Sequence, residues 1–314
     1  MYRDFIVSMA TIPERFEKLK ANIRSILEQE DVVFDKLLII VNKYDSEDIL
    51  KKYDEIKAIS PKVIEVVLGD NKWRSCNKVI YPVTHYPDKP FITVDDDINY
   101  YPYAFKDIFI ERLCHRDCII SHETNPVSIT DTGFIQYANA IQTKFKQVCF
   151  DKYMTGCCYF PRFVFNGTDV LNYDKMYALT QGLHDEIWLW VNTSLKGVQS
   201  ICLNKTLSFE MDGASINNDN SLGKINGNIN RIREYNVAIN AQYGEELRKV
   251  LKAKTIKFEV TEENFYGIIC LLGNLVAQYK NFGGIEFDLS RLPLSFKKIF
   301  SMHADNFKLW IRVK

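Results

Sequence analysis

Apolar and polar positions in the first hundred residues switch between two periods. A short extended run, Phe5-Ile-Val-Ser-Met9, is followed by Pro13-Glu14-Arg15 and then by apolar residues at Phe16, Leu19, Ile23, Ile26 and Leu27. Steps of three and four predict a helix with one buried stripe, opened by the proline. Leu-Leu-Ile-Ile-Val within residues 36–42 suits a strand covered on both faces. Ser46, with Glu47 and Asp48 behind it, predicts a capped second helix. Residues 63–68 and 91–94 read as a third and a fourth strand. Strands alternating with helices imply right-handed βαβ crossovers, so the expected fold class is α/β with a mostly parallel central sheet flanked by helices.

Later segments are less regular. Residues 153–165 read as a strand pair around Gly156, and a helix over 185–196 follows Gly182. Residues 213–230 are rich in Gly, Asn and Ser and are expected to form a long loop or lid. Helices over 229–253 and 261–280 close the chain. The division that follows is a first domain over 1–240 and a helical C-terminal extension over 241–314.

Composition narrows the function classes. The chain has 314 residues, 46% hydrophobic, with 40 basic and 40 acidic side chains. That balance suits a globular protein and excludes a general nucleic-acid binder, which carries a basic excess. No apolar run approaches the roughly 18 residues of a membrane span. Phe5 to Met9 is followed at once by Glu14, Arg15, Glu17 and Lys18, unlike a signal peptide. The eight cysteines contain no CxxC pair, and adjacent Cys157 and Cys158 are badly placed to bridge each other. Reduced thiols in a cytoplasm are the expectation.

Open α/β sheets bind ligands at the carboxyl ends of their strands. Those ends carry Ala10-Thr11-Ile12-Pro13, Asn42-Lys43, Gly69-Asp70-Asn71-Lys72 and Asp95-Asp96-Asp97. The last is the strongest signal, because a buried strand, Phe91-Ile-Thr-Val94, runs straight into three carboxylates. Continued at the strand period of two, Asp95 and Asp97 would share one side and Asp96 the other. Paired carboxylates on one edge favour a divalent cation, and hard oxygen ligands suit magnesium or manganese. Upstream, Arg74 and Lys78 are cations able to balance a diphosphate, and Trp73 either stacks on a base or fills core.

The order and spacing of these pieces resemble the GT-A glycosyltransferases, particularly the bacterial family-2-like enzymes of capsule and lipopolysaccharide synthesis. The matching residues are Val7-Ser-Met-Ala-Thr11-Ile-Pro-Glu-Arg15, Asn77-Lys78, Thr93-Val-Asp95-Asp-Asp97 as the DxD motif, and His184-Asp185-Glu186-Ile-Trp188, over roughly residues 3–240. The resemblance implies a GT-A fold and a sugar donor activated by a nucleoside diphosphate, most simply UDP. It places Thr11, Arg15, Asn77, Lys78, Asp95 and Asp96 around that donor, and Asp97 on a Mn2+ or Mg2+ ion. It makes Asp185 or Glu186 the base that takes the acceptor's proton, with inversion at the anomeric carbon. The acceptor would be a glycan or lipid-linked glycan. Gly156-Cys157-Cys158 resembles the family's small-residue strand but is poorer in glycine.

Two other readings stand beside this one. A sugar nucleotidyltransferase normally has a glycine-rich turn after its first strand, and Ala10 to Pro13 has no glycine. A non-catalytic nucleotide- or glycan-binding module would use the Asp triplet only as a surface turn. Separately, residues 288–314 interleave Arg291, Lys297, Lys298, Lys308, Arg312 and Lys314 with Phe296, Ile299, Phe300, Phe307, Leu309, Trp310 and Ile311. That mixture suits either a docked terminal helix or peripheral contact with the cytoplasmic face of an inner membrane.

Overall fold

The structure is a computed structural model that describes residues 4–42, 51–130, 132–137, 148–203, 208–211, 228–252, 256–270, 272, 285–304 and 311–313. In chain order, its first half is β1 (Ile6–Thr11), α1 (Phe16–Leu27), β2 (Lys36–Val41), α2 (Asp54–Ile59), β3 (Ile64–Leu68), α3 (Asn77–His85), β4 (Phe91–Val94), β5 (Ile98–Tyr100) and α4 (Ala104–Cys114). Short strands follow: β6 (Ile119–Ser121), β7 (Thr124–Asn125), β8 (Val127–Ile129), β9 (Ile135–Tyr137), β10 (Val148–Cys149), β11 (Lys152–Tyr153) and β12 (Cys157–Phe160). Then come α5 (Tyr173–Thr180), α6 (Asp185–Leu195), β13 (Ser200–Cys202), β14 (Ser208–Met211) and α7 (Ile229–Lys252). The last elements are β15 (Ile256–Glu259), β16 (Ile285–Asp288), α8 (Leu294–Ala304) and β17 (Ile311–Val313).

The chain divides into two compact units, Met1–Asn125 with Asn139–Tyr235, and Pro126–Ala138 with Asn236–Lys314. The first is a mixed α/β layer. Its eight-stranded sheet runs in the order β10-β13-β6-β12-β4-β1-β2-β3. β3, β2, β1 and β4 are mutually parallel, as are β6 and β13, while β12 runs antiparallel to both β4 and β6. The four N-terminal strands sit where the apolar runs predict them. β1, β2 and β4 are buried on both faces because helices cover the sheet on both sides, which is why they read as continuous apolar runs, whereas β3, at the sheet edge, is only partly buried. α1 buries Phe16, Leu19, Ile23 and Ile26, the predicted stripe, after a short 3-10 turn over Pro13–Arg15.

Two expectations are corrected, and one residue left open between docking and membrane contact is placed. The strands flanking Gly156 do not pair with each other: β11 pairs with β7, and β12 inserts between β4 and β6. A buried central position supplies two ladders to Cys157–Phe160, where a hairpin would supply one. The C-terminal extension is not all helical, because β15, β16 and β17 form a three-stranded parallel sheet in the second unit. Its signal is a repeated alternation, Ile256-Lys-Phe-Glu259 and Ile285-Glu-Phe-Asp288, aligned residue for residue in the register. The residue placed is Phe300, which is core: it is fully buried and its ring lies 5.0 Å from Phe287. The second helix expected after Ser46, the loop over 213–230 and the end of the 261–280 helix fall largely outside the described residues.

Candidate functional site

The polar residues gather in the first unit at the carboxyl ends of β1 to β4, and they form two joined groups. The first is built on the turn after β4. The strand ends at Val94, and Asp96 and Asp97 are already turn residues, so the alternation expected for the triplet does not continue. Asp96 is buried at the end of β1, where Thr11 Oγ1 donates to its Oδ2 at 2.7 Å and Arg15 donates to its Oδ1. The same guanidinium lies 3.3 Å from Asp97 Oδ2. Asp96 and Asp97 therefore share one cation, whereas Asp95 turns to another. Burial pushes the Asp96 carboxyl up despite the opposing pull of Arg15 and Thr11. Burial works against the charge of Arg15, yet Asp96 and Asp97 more than offset it and raise its pKa.

Asp95 accepts from Lys78 Nζ at 2.6 Å. Its backbone N–H donates to the Tyr100 hydroxyl at 2.7 Å, and that hydroxyl donates in turn to the Gly156 carbonyl. The antiparallel register of Cys157 with Val94 brings Gly156 beside Asp95. A Cβ at Gly156 would stand 2.9 Å from Asp95 Oδ2, so only glycine leaves that carboxylate its place.

Lys78 links the two groups. It is buried on α3, and its Nζ lies 3.8 Å from Asp185 Oδ2 as well as on Asp95. Burial alone would discharge it, but Asp95, Asp185 and Glu186 together raise its pKa above the ordinary lysine value.

The second group opens α6. Trp188 Nε1 donates to the Val170 carbonyl at 2.9 Å, and Trp190 Nε1 to that of Phe150 at 2.7 Å. Residues Ile187 to Ser194 are all buried, so the start of this helix is rigidly placed. Glu186 receives Thr155 Oγ1 at 3.3 Å, and His184 Nδ1 lies 2.8 Å from its other oxygen. Asp185 Oδ2 is buried with no hydrogen bond. Burial and the neighbouring Glu186 push Asp185 up to about 8. Burial also opposes ionisation of Glu186, but His184, Lys152 and Lys78 outweigh it and hold this carboxyl well below the usual range. The pair therefore keeps one proton and one negative charge at neutral pH. Burial lowers the His184 pKa, which keeps the imidazole neutral.

Two sets of side chains have ligand chemistry for a divalent cation. One ligand atom each from His184, Asp185 and Glu186 lies within 4.8 Å of the others. Positive charge already faces that set from Lys78, from the buried Lys152 and from the amino end of α6. The Asp95–Asp97 turn offers hard carboxylate oxygens, with Asp97 still 18% exposed and reachable from outside.

The sequence-predicted residues thus fall into place unevenly. Thr11, Arg15, Asp96 and Asp97 meet, and Lys78, Asp95, Asp185 and Glu186 meet. Asn77 points elsewhere: its amide donates to Asn42 Oδ1 at 2.6 Å and to the Asp70 carbonyl at 2.8 Å, tying the ends of β2 and β3 together. Trp73 is core, edge-on to Tyr173 at 5.4 Å. His122 is a buried structural residue whose Nε2 sits 3.0 Å from the Ala104 carbonyl. Lys152, Thr155 and Tyr100 escaped the sequence reading, since a lone lysine, threonine or tyrosine near a strand carries no spacing signal. The described cysteines are free.

No protein-family profile matches the chain, and no curated protein sequence matches it. Among solved structures it is similar to residues 1–349 of TarS of S. aureus in complex with UDP, at 12% identity over 87% of this chain and 80% of that one, with a TM-score of 0.43. It is also similar to the mannosyltransferase PcManGT of Pyrobaculum calidifontis in complex with GDP-Man and Mn2+, at 11% identity over 98% and 86% of the two chains and a TM-score of 0.47. A third is an apo UDP-glucose pyrophosphorylase, at 10% identity, 78% and 99% coverage and a TM-score of 0.39.

Proposed function

We propose that this chain is a GT-A-type glycosyltransferase that moves a sugar from a nucleoside-diphosphate donor to a hydroxyl of a glycan or lipid-linked acceptor. One observation carries the reading: Lys78 joins the carboxylates at the end of β4 to the buried carboxylate pair at the start of α6. Group transfer from a diphosphate has two electrostatic demands, charge neutralisation on the leaving group and removal of a proton from the acceptor. The two groups are suited to one demand each.

At the first group, Asp97 would hold a Mn2+ or Mg2+ ion, since its carboxylate oxygens are hard and accessible. Bound there, the ion supplies Lewis-acid stabilisation of the departing diphosphate. Arg15 keeps Asp96 and Asp97 together and adds a cation at that edge, while Thr11 fixes Asp96. Asp95, aimed by Lys78 and Tyr100 and cleared by Gly156, approaches the ribose and sugar.

At the second group, Glu186 is the base. It is ionised, it is oriented by Thr155 and His184, and it is the more exposed of the pair. Asp185 holds the pair's proton behind it. A base needs hydrogen-bond reach to the acceptor hydroxyl, and attack from the face opposite the leaving diphosphate gives inversion. A UDP-sugar is the first donor to test.

The test is thermal stabilisation of the protein by UDP, GDP and CDP, each with and without manganese. A ligand present at 100 times its dissociation constant adds about 2.7 kcal/mol to stability. The reading expects metal-dependent stabilisation by one nucleotide, followed by release of that nucleotide from its sugar donor. Binding without turnover of any sugar donor or acceptor would favour a binding module, and no response to any nucleotide would overturn the reading.

A further inference from the structure

In the second unit, α8 packs one face inward and carries exposed apolar side chains among polar ones on the other. Its inner face is packed: Phe300 and Ala304 are buried, and the Phe296 ring lies 4.8 Å from the buried Phe265. The outer face has no such cover. Leu294 is 69% exposed, Met302 73% and Ile299 41%. Leu294, Lys298 and Met302 follow at intervals of four, so they form one stripe along the helix. Tyr266, 68% exposed, lies on the packed side of the helix, its ring 6.4 Å from Phe296. Helices that serve only a core are polar on the far side.

Charge accompanies the apolar stripe. Residues 288–305 contain Arg291, Lys297 and Lys298 against Asp288 and Asp305, one at each end. A two-fold contact through this face would set these cations against their own copies, which disfavours self-association. An anionic sheet satisfies the cations and the apolar stripe together. No described helix is long and apolar enough to cross a membrane, so the contact is one of lying on a surface.

We propose that this face of α8 docks peripherally on an anionic lipid bilayer. Leu294, Ile299 and Met302 enter the boundary between headgroups and acyl chains. Arg291, Lys297 and Lys298 engage the headgroups. Nothing in this proposal depends on the chemistry of the first unit.

Cosedimentation of the full chain with vesicles tests it, using phosphatidylcholine alone and phosphatidylcholine mixed with phosphatidylglycerol. Binding is expected to the mixed vesicles only, and to weaken with salt. A lysine near an anionic surface contributes about fivefold in affinity, so Lys297→Glu with Lys298→Glu should weaken binding by on the order of 100-fold. Leu294→Ser with Met302→Ser should weaken it by about tenfold through lost apolar burial. Leu294, Met302 and Lys298 are exposed, so the serine pair should not move the thermal transition; Lys297 is half-buried with its Nζ donating to the Ser290 carbonyl at 3.4 Å, so the glutamate pair should move it only slightly. Equal retention of both double variants on mixed vesicles, or no sedimentation of the parent chain with them, would overturn the proposal. So would a concentration-dependent dimer, seen by light scattering and abolished by Leu294→Ser with Met302→Ser, in a chain that ignores vesicles.

Discussion

At the end of β4, Asp95, Asp96 and Asp97 are neutralised by fixed cations, Lys78 for the first and Arg15 for the other two. At the start of α6, Asp185 is pushed up to about 8 by burial and by Glu186, with Lys78 Nζ 3.8 Å away, while Glu186 stays charged beside His184, Lys152 and Lys78. The two regions use the same side-chain chemistry in one unit and reach opposite states. The β4 turn leaves Asp97 partly exposed and sets buried Asp96 against Arg15, so both carboxylates keep a cation partner. The α6 pair is buried beside a second carboxylate, so one member retains a proton. Burial and like charge, rather than residue type, divide a region suited to holding a cationic or phosphate ligand from one suited to moving a proton.

The comparison breaks most sharply at Glu186. Glu186→Gln is expected to lower sugar transfer by about 100- to 10,000-fold, the range of a lost general base. Steady-state transfer assays would measure it, and near-parental rates would remove Glu186 from that role. Gly156→Ala comes next. Its Cβ would stand 2.9 Å from Asp95 Oδ2, so the carboxylate must shift from the position in which Lys78 holds its Oδ1. Displacements of that size in a reacting site typically lower rates by about 10- to 100-fold, and kcat should fall with the thermal transition little changed.

Asp185→Asn tests the shared proton. With Asp185 titrating near 8, the parental rate should rise by about tenfold across that pH, because a second negative charge makes Glu186 the stronger base. The variant should stay active at pH 7 and lose this alkaline rise. Stability has the opposite sign. A carboxyl raised from 3.8 to about 8 favours the folded state fully at low pH and loses that contribution as pH climbs through 8. Asp185→Asn should therefore stabilise the protein more at pH 9 than at pH 5, by at least about 1 kcal/mol, the equivalent of one pKa unit. The smallest effect is at Thr11. Thr11→Val removes a 2.7 Å hydrogen bond to buried Asp96 and should lower stability by about 1–3 kcal/mol in denaturant titrations.

The same contrast explains what could be read in advance. Strands β1, β2 and β4 were legible because each is a short apolar run buried on two faces, β3 because its run stays mainly apolar at the sheet edge, and α1 because its stripe keeps one period. Both acidic groups were visible as types and spacings. Their internal wiring was not. That Asp96 faces Arg15 while Asp95 faces Lys78 depends on the chain leaving its strand at Val94, and no periodicity reports where a ladder ends. That Asp185 is pushed up depends on its burial and on charges brought from elsewhere in the chain, Lys78 and Asp95 among them. In the second unit, β15 and β16 hid behind the helical expectation because four-residue alternations are short, although Ile-Lys-Phe-Glu and Ile-Glu-Phe-Asp are the same pattern twice. Phe300 was legible as an aromatic among cations but not as core, since a helix with apolar side chains on both faces gives no sequence signal for which face is inside.

The division of labour between the two acidic groups is tested most directly by manganese-dependent nucleotide binding in Asp97→Asn and Glu186→Gln, compared by calorimetry with the parental chain. The account predicts that Asp97→Asn weakens binding at least about tenfold, the equivalent of one 1.4 kcal/mol step, while Glu186→Gln leaves it unchanged. Loss of binding in Glu186→Gln with full binding in Asp97→Asn would place the cation at His184–Glu186 and contradict the account.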